Sequence, residues 1–328
     1  MSIHWPRFIE LVRSHDRFLL TSHIRPDCDA LGSELGMAGV LEALGKSVMI
    51  VNGQVTPPNL AFIDPEHKIK ALSVDVEPMH LEGCEVLLVL DTSAWAQLGS
   101  MADVVRTTKA HKAVLDHHVG EDDMGAELFK NPQAEATGRL VVEAARHLGV
   151  RLTPEISKPL FAAIATDTGW FRFGSTSGDT MRYAGDLVDA GARPSDIYAS
   201  LYEQDSLPRL QLRGRILART KTDLEGKLAY TAALKADFDE TGAHPSDTED
   251  VVNMTLAIAG TQVAVIFVEQ ATGGFKLSFR SRTPKVDCNE LAKTFGGGGH
   301  KAAAGAFLNM PWPTVEVKVL DAVRAAMR

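Results

Sequence analysis

Cysteine is scarce in this sequence, which has Cys28, Cys84 and Cys288 as its three thiols among 328 residues. So few cysteines argue against a disulfide framework and fit a reducing cytoplasm. No apolar run approaches the roughly 20 residues that a membrane-spanning helix needs. The amino-terminal segment is an amphipathic pattern broken by charges, unlike a signal peptide. We therefore expect a cytoplasmic protein that has no membrane partner.

Positive charge is also in short supply, with 34 lysines and arginines against 42 acidic residues and a formal net charge of −8. This balance argues against electrostatic capture of long duplex DNA. The sequence shows no long basic channel or oligonucleotide-binding barrel for extended single strands. A Gly-x-Ser-x-Gly nucleophile elbow and a P-loop lysine are missing too. We therefore expect any bound nucleic acid to be short, and no covalent intermediate.

Carboxylates and imidazoles, by contrast, follow several apolar segments. Asp116, His117 and His118 come directly after the predicted strand that begins at Lys112. Corresponding positions after other apolar segments hold His23, Asp27, Asp29, Asp91 and Asp167. The carboxyl ends of strands in an open α/β sheet meet at one crevice, so we expect these groups to converge. Because clustered carboxylates repel one another unless cations lie among them, the set predicts a metal site.

The types of ligand narrow the choice of metal. Carboxylate oxygen mixed with imidazole nitrogen, without a cysteine pair, favours Mn²⁺ or Mg²⁺, with Co²⁺ or Zn²⁺ as alternatives, over a structural zinc site. Cys28 lies between Asp27 and Asp29, and we predict that it packs in the core and is not a ligand. The acidic run from Glu121 to Asp123 predicts a solvated loop.

The carboxyl-terminal part carries local positive charge beside a glycine cluster. Arg280 and Ser281 close an alternating strand, and the Arg280 guanidinium can take a phosphate in two hydrogen bonds. Gly296 to Gly299 lie between a predicted helix, Val286 to Phe295, and a second predicted helix, His300 to Ala304. Glycines at a helix start expose backbone N–H groups to an anion, so we predict a phosphate site and not a linker.

The pattern of elements predicts an α/β protein of two domains. Residues 1–202 alternate apolar strands with helical patterns, which is typical of a parallel sheet covered by helices on both faces. Residues 203–219 are predicted to connect this domain, partly as helix, to a smaller α/β domain at 220–328. We expect the active site in the cleft between the two domains.

Together these motifs resemble the DHH phosphoesterases, in the DHH/DHHA1 branch of bacterial nanoRNases and pAp phosphatases. The resemblance implies a DHH metal domain followed by a DHHA1 substrate-binding domain. It implies that His23 and Asp27 hold one ion, that Asp29, His117 and Asp167 hold the other, and that Asp91 bridges both.

The resemblance also implies roles for the remaining site residues. Asp116 would orient His117, and His118 would contact the scissile phosphate, so that Asp91, Asp116, His117 and His118 form the catalytic set. Substrate binding would fall to His118, Arg280, Ser281, Gly297, Gly298, Gly299 and His300. Thr137 and Arg139 lie where the family has a polar segment near the substrate, with helix capping as an equal alternative for Thr137.

The activity that follows is hydrolysis of phosphoesters with two divalent ions, of which Mn²⁺ is the expected one and Mg²⁺ or Co²⁺ the alternatives. The expected substrates are very short oligonucleotides, released as mononucleotides, and 3′-phosphoadenosine 5′-phosphate, converted to AMP. A phosphodiesterase for cyclic dinucleotides or their linear products, and a non-catalytic nucleotide sensor, stay open as alternatives. Pyrophosphate hydrolysis is disfavoured by the glycine-histidine motif, and a homodimer is left open.

Overall fold

The computed structural model describes residues 3–328 and divides them into two compact units, the first reaching to Gln204 and the second running from Asp205 to Arg328. Residues 1 and 2, which the predicted first domain includes, lie outside the described residues. Each unit has its own sheet and its own apolar core.

The first unit is a six-stranded parallel sheet with helices on its two faces. Its elements are α1 (Trp5–Ser14), β1 (Arg17–Thr21), α2 (Cys28–Ala43), β2 (Ser47–Asn52), β3 (Ile69–Ala71), β4 (Val86–Leu90), α3 (Met101–Thr107), β5 (His111–Asp116), β6 (Glu127–Lys130), α4 (Thr137–Leu148), α5 (Pro154–Asp167), α6 (Gly178–Asp189) and α7 (Pro194–Tyr202). The strand order is β3-β2-β1-β4-β5-β6, and every neighbouring pair is parallel.

The central strand β4 is apolar at every position because both faces of the sheet are covered there. In β4, Leu88 packs in the core under α1, α2, α4 and α5, while Leu87 packs in the core under α3. The chain moves outward from β1 in one direction to β3 and then restarts at β4 on the other side. The carboxyl ends of β1 and β4 therefore form the topological switch point at which open α/β sheets bind ligands.

The second unit is a mixed sheet, also covered on both faces. Its elements are α8 (Leu207–Ala218), β7 (Lys221–Asp223), β8 (Leu228–Ala233), α9 (Lys235–Thr241), α10 (Val251–Leu256), β9 (Val263–Glu269), β10 (Phe275–Ser281), α11 (Cys288–Lys293), β11 (Gly298–His300), β12 (Ala303–Leu308) and α12 (Trp312–Ala326). The strand order is β11-β12-β10-β9-β8-β7, and the β8–β9 pair is parallel while the others are antiparallel.

The predicted α/β class, with a parallel-sheet first part and a smaller second part, is confirmed. Residues 203–219, predicted as a connector, hold α8, which packs on the second sheet through Leu212 and Ile216. The expectation of an active site in a cleft between the domains stays a prediction. Across residues 3–328, no helix combines the length and the apolar character that crossing a bilayer requires.

The predicted helix from His300 to Ala304 is wrong, because these residues belong to the hairpin of β11 and β12. His300 pairs with Ala303 and Gly299 pairs with Ala304. A Cβ built on Gly299 would lie 2.6 Å from the carbonyl oxygen of Ala303, and one on Gly297 would lie 2.1 Å from the carbonyl oxygen of Gly305. The glycines are therefore needed for close approach of the two strands, and they do not open a helix.

Candidate active site

The first motif lies in the turn from β1 to α2. Asp27 is the N-cap of α2, and its Oδ1 accepts hydrogen bonds from the backbone N–H groups of Asp29 (3.0 Å) and Ala30 (3.1 Å). This capping fixes the turn, so that Asp29 begins the helix as a buried side chain while Asp27 stays exposed. His23 precedes the turn at the end of β1.

The amino terminus of α4 holds two of the acids. The Thr137 hydroxyl donates to Asp91 Oδ1 (2.9 Å), and its backbone N–H donates to Asp29 Oδ2 (2.8 Å). The backbone N–H of Gly138 donates to Asp29 Oδ1 (2.8 Å). The N-cap of α4 is Ala136, so Thr137 contacts the site and does not cap the helix. Free N–H groups and the positive end of the helix dipole favour carboxylates there.

The predicted ligand atoms form overlapping groups. His23, Asp27 and Asp91 have one ligand atom each within 4.8 Å of one another, and so do Asp29, His117 and Asp167. Asp91, His117 and His118 form a third group. The Nε2 atom of His117 lies 3.5 Å from Asp91 Oδ1, 3.7 Å from Asp29 Oδ2 and 3.6 Å from Asp167 Oδ2. The structure thus gathers all six residues predicted as metal ligands, and Asp91 lies centrally among them.

The direction of the histidine rings fits a metal site. The Nδ1 atom of His117 faces the carbonyl oxygen of Ala134 (3.2 Å), and that of His23 faces the carbonyl oxygen of Ile24 (3.0 Å). A carbonyl oxygen only accepts, so in the neutral ring Nδ1 carries the hydrogen and Nε2 presents a lone pair. These nitrogen lone pairs face carboxylate oxygens, which they repel. A cation bound between them would be coordinated by both kinds of atom.

The charge of the site fits a metal as well. Burial raises the pKa of Asp29 well above its usual value, and the negative charge of Asp91 raises it further. Burial also raises the pKa of Asp91, as does the charge of Asp27. The pKa of Asp167 is raised for the same reason, mainly by burial. Buried carboxylates with raised pKa values are held ionised by nearby divalent cations.

Asp116 contacts His118, and the prediction that it orients His117 is wrong. Its Oδ1 accepts from Nδ1 (2.8 Å) and from the backbone N–H (3.0 Å) of His118. Burial would raise the pKa of Asp116, but the hydrogen bonds from His118 and Ser93 outweigh it and leave the pKa below its usual value. The pKa of His118 is raised, chiefly by its hydrogen bond to Asp116. Asp116 therefore fixes the orientation of the His118 ring and favours its protonated form.

Lys130, which the sequence analysis missed, lies behind this pair. Its Nζ donates to Ser93 Oγ and to the carbonyl oxygen of Gly120, each at 2.7 Å, and lies 3.3 Å from Asp116 Oδ2. Ser93 Oγ in turn donates to Asp116 Oδ2 (2.8 Å). Lys130 ends β6 in register with Asp116 at the end of β5. The sequence feature that could have indicated this residue is a lysine directly after the apolar pair Leu128 and Phe129.

In the second unit, Arg280 and His300 occupy one row across three strands. Arg280 of β10 pairs with Ala303 of β12, which pairs with His300 of β11. Residues in register point to the same face, so both side chains lie on the face opposite Phe279 and its core, roughly 10 Å apart for two strand spacings. The Ser281 hydroxyl donates instead to the carbonyl oxygen of Thr283 (2.9 Å).

Asn289 supports this row and was not predicted. Its side-chain oxygen accepts the backbone N–H of Gly299 (3.0 Å). Asn289 lies in the first turn of α11, capped by Asp287. The helix thus fixes the glycine strand at the point where His300 follows.

Comparison with known proteins agrees with this division. The model of the DHH family N-terminal domain matches residues 17–166, and the DHHA1 domain model matches residues 225–328. The bifunctional oligoribonuclease and PAP phosphatase NrnA of Thermus thermophilus is 31% identical over 307 residues, which cover 93% of this chain and 88% of the relative. This chain belongs to the DHH/DHHA1 family of phosphoesterases. The predicted resemblance is confirmed, and the protein is an enzyme of this family.

Two further matches span nearly the whole of this family member. NrnA of Bacillus subtilis is 29% identical over 305 residues, covering 90% of this chain and 92% of the relative. The crystal structure of an exopolyphosphatase-related protein from Bacteroides fragilis superimposes with a TM-score of 0.81 at 25% identity, covering 98% of this chain and 95% of that chain. DHH phosphoesterases depend on metal, and the Asp and His cluster of this chain can bind it.

A cavity of about 600 Å³ opens onto the ligand groups, within the range of sites for small ligands. Besides the ligands, Ser93, Gln97 and Gly120 line it. Glu121 and Asp122, predicted as part of a solvated loop, also line this cavity, and Asp122 Oδ2 accepts the backbone N–H of Trp95 (2.7 Å). Neither acid belongs to the ligand groups found among residues 3–328.

Proposed function

We propose that this phosphoesterase uses two divalent ions to hydrolyse very short oligonucleotides to mononucleotides, and 3′-phosphoadenosine 5′-phosphate to AMP. The observation that carries the proposal is the sharing of Asp91 between two ligand groups in one cavity. The choice of substrate is supported by relatives named as oligoribonucleases and PAP phosphatases, which match about 90% of the chain. We also propose a cytoplasmic location, since all three cysteines are unpaired.

One ion would be held by His23, Asp27 and Asp91, and the other by Asp29, His117 and Asp167 together with Asp91. Oxygen and imidazole ligands suit Mn²⁺, with Mg²⁺ or Co²⁺ as alternatives. When bound, ions in such a site supply a water of lowered pKa and positive charge for the phosphoryl oxygens.

The chain's own groups bind and orient the phosphoester. Asp116 accepts a hydrogen bond from Nδ1 of His118, which raises the pKa of the ring and leaves Nε2 as its free edge. This ring donates a hydrogen bond to a phosphoryl oxygen of the substrate. Thr137 keeps Asp91 in place from the other side through its hydroxyl.

The second unit would bind the rest of the substrate. Arg280 supplies a guanidinium for a terminal phosphate, and His300 supplies a side-chain donor on the same row. Among Gly297, Gly298 and Gly299, the middle glycine has open space, since a Cβ there would meet only Asn289 Oδ1 at 3.7 Å, and a phosphate can approach its backbone. The hydroxyl of Ser281 donates to the carbonyl oxygen of Thr283, so Ser281 is not included in this proposed set.

The proposal is tested by a product time course in Mn²⁺. A labelled diribonucleotide, a longer oligonucleotide, 3′-phosphoadenosine 5′-phosphate, a cyclic dinucleotide and pyrophosphate are offered to the wild type and to Asp91→Ala. We expect rapid cleavage of the diribonucleotide and of the 3′-phosphate by the wild type alone. Cleavage of pyrophosphate or of the cyclic dinucleotide alone would refute the proposed substrates. Nucleotide binding without turnover would instead support a sensor.

The role of the second unit is tested by Arg280→Ala and His300→Ala. A hydrogen bond to a charged group contributes about 1.5–3 kcal/mol, so each variant should raise KM roughly 10- to 150-fold with unchanged metal content. Lys276→Ala is the matched control, because Lys276 is an exposed cation on the same strand. A KM in either variant equal to that of the control would contradict the assignment.

A further inference from the structure

A strained turn follows the predicted ligand Asp167 at the end of α5. Gly169, Trp170 and Phe171 are consecutive residues in the left-handed region, with φ of 56°, 59° and 62°. Trp170 and Phe171 are bulky L-residues, which rarely adopt this conformation. Such strain persists where surrounding contacts enforce it, and it is concentrated at functional sites.

The contacts that enforce the turn are aromatic. The Trp170 ring lies 6.1 Å from that of Phe161, 5.0 Å from that of Tyr198 and 5.8 Å from that of Tyr202, centre to centre. The Phe171 ring lies 5.9 Å from the ring of Phe161. Offset and edge-on rings at these distances attract one another. The inward-facing side chains of Trp170 and Phe171 therefore hold this left-handed turn in place.

The same turn directs Phe173 outward. This phenylalanine is 54% exposed, and its backbone N–H donates to the carbonyl oxygen of Thr168 (3.0 Å). A Cβ built on Gly169 would lie 2.4 Å from the Phe173 ring, so the ring rests directly on the glycine. Arg172 donates from Nε to the carbonyl oxygen of Gly169 (2.7 Å), and its guanidinium carbon lies 5.9 Å from the ring centre. The ring and the guanidinium are thus held beside each other.

This ring lies close to the predicted ligand Asp167 along the chain. Gly169, on which it rests, is two residues after Asp167. Asp167 in turn has a ligand atom within 4.8 Å of ligand atoms of Asp29 and His117. The aromatic turn therefore follows directly on a residue of the ligand groups.

We propose that Phe173, with Arg172 beside it, is a stacking platform for a nucleobase of the substrate. The inference rests on the proposed function, since a base is present only if the substrate is a nucleotide. Base–aromatic stacking is tolerant of sequence because every base has a π-face, and arginine adds a cation–π contribution. A platform fixed beside the ligands would accept the base of the residue whose phosphate is cleaved, whatever its identity.

The test compares three substrates, a diribonucleotide and two versions of it that each carry an abasic residue in place of one of the two bases. Phe173→Ala should raise KM for the diribonucleotide about 5- to 150-fold, as loss of one stacked base predicts, with kcat within about twofold. For the abasic substrate that lacks the stacked base, Phe173→Ala should have the same KM as the wild type. Phe173→Trp and Phe173→Tyr, which keep a π-face, should stay within about twofold of the wild type.

Two controls separate stacking from folding. Phe173→Leu keeps an apolar side chain on Gly169 without a π-face, and it should behave like Phe173→Ala while retaining the thermal midpoint and metal content. Phe307→Ala removes an equally exposed phenylalanine, 51%, from β12 and should leave KM unchanged.

Four results would count against the proposal. Equal losses on the intact and both abasic substrates, or failure of Phe173→Trp to restore KM, would overturn the platform. A diribonucleotide cleaved by the wild type with unchanged KM in Phe173→Ala would overturn it while leaving the proposed function intact. A wild type that cleaves no nucleotide would refute the proposed function itself, and the platform with it.

Discussion

Replacement of Lys130 by methionine should destabilise the first unit and slow hydrolysis together. The Lys130 side chain is 8% exposed, and its ammonium group contacts Ser93, Gly120 and the fully buried Asp116. Methionine has a similar length but no charge and no donor. The carboxylate of Asp116 would then lose the nearest positive charge on its Oδ2 side.

The size of the effect follows from these contacts. Removing one partner of a buried ion pair costs about 3–5 kcal/mol. We expect the lower figure, about 3 kcal/mol, because Ser93 and His118 still donate to Asp116 in the variant. For a unit of about 200 residues this corresponds to a fall in Tm of roughly 6–12 °C. A residue that orients a catalytic group from behind changes activity by about 10- to 100-fold, so kcat should fall within that range.

The assay is thermal unfolding with parallel measurements of metal content and kcat. Lys130→Arg keeps the charge and should recover most of the lost Tm. Lys68→Met is the matched control, because Lys68 forms an exposed ion pair with Glu42 that contributes about 1 kcal/mol or less. The reasoning would be refuted if Lys130→Met melted within about 2 °C of the Lys68→Met control.

Four further outcomes are expected. Chelation of divalent ions with EDTA should abolish hydrolysis and lower Tm, and Mn²⁺ should restore both, with unchanged Tm counting against a shared ion site. Asp237→Asn should destabilise the second unit at neutral pH by about 1.5–3 kcal/mol, because buried Asp237 binds Arg219 in two hydrogen bonds. Burial would raise the pKa of Asp237, but Arg219 holds it below its usual value, so this stability is present above about pH 4 and lost as pH falls through the lowered pKa. Urea titrations at several pH values should show the difference from the wild type shrinking in acid. Cys28→Ala should keep metal content and rate, since Cys28 is buried in the core and belongs to none of the ligand groups found among residues 3–328. Asn289→Ala should raise KM for the diribonucleotide several-fold while Asn289→Asp, which retains the acceptor for Gly299, should not.

The parts of the fold and site that follow a spatial rule could be predicted from the sequence. His23, Asp91 and His117 follow three different strands, and parallel strands bring their carboxyl ends to one crevice. Their convergence therefore required only the recognition of apolar strands. That the sheet is covered on both faces could likewise be predicted from a segment that is apolar at every position, Val86–Leu90.

The parts of the site that depend on a particular neighbouring residue could not be predicted from the sequence. Asp116 was expected to hold His117, but the carbonyl oxygen of Ala134, a backbone group that no side-chain pattern reveals, faces that ring instead. The position of Thr137 indicated the start of a helix, but it did not indicate that the backbone N–H of Thr137 donates to Asp29.

The glycine run shows a third limit. Consecutive glycines carry no side-chain period, so Gly298 and Gly299 gave no sign of a strand beside β12. The last helix, α12, was likewise not predicted, although Val315, Val319 and Leu320 bury one face of it.

The backbone of Asp91 shows how the proposed metal binding and the stability of the fold oppose each other in this enzyme. Asp91 has a left-handed φ of 61°, and it is only 2% exposed among other acids. Both its backbone conformation and its negative charge therefore oppose folding in the absence of ions. A glycine at this position would relieve both the backbone strain and the charge repulsion, and it would remove the carboxylate that two of the three ligand groups share. Selection of variants for heat resistance alone, in metal-free buffer, would therefore favour inactive proteins.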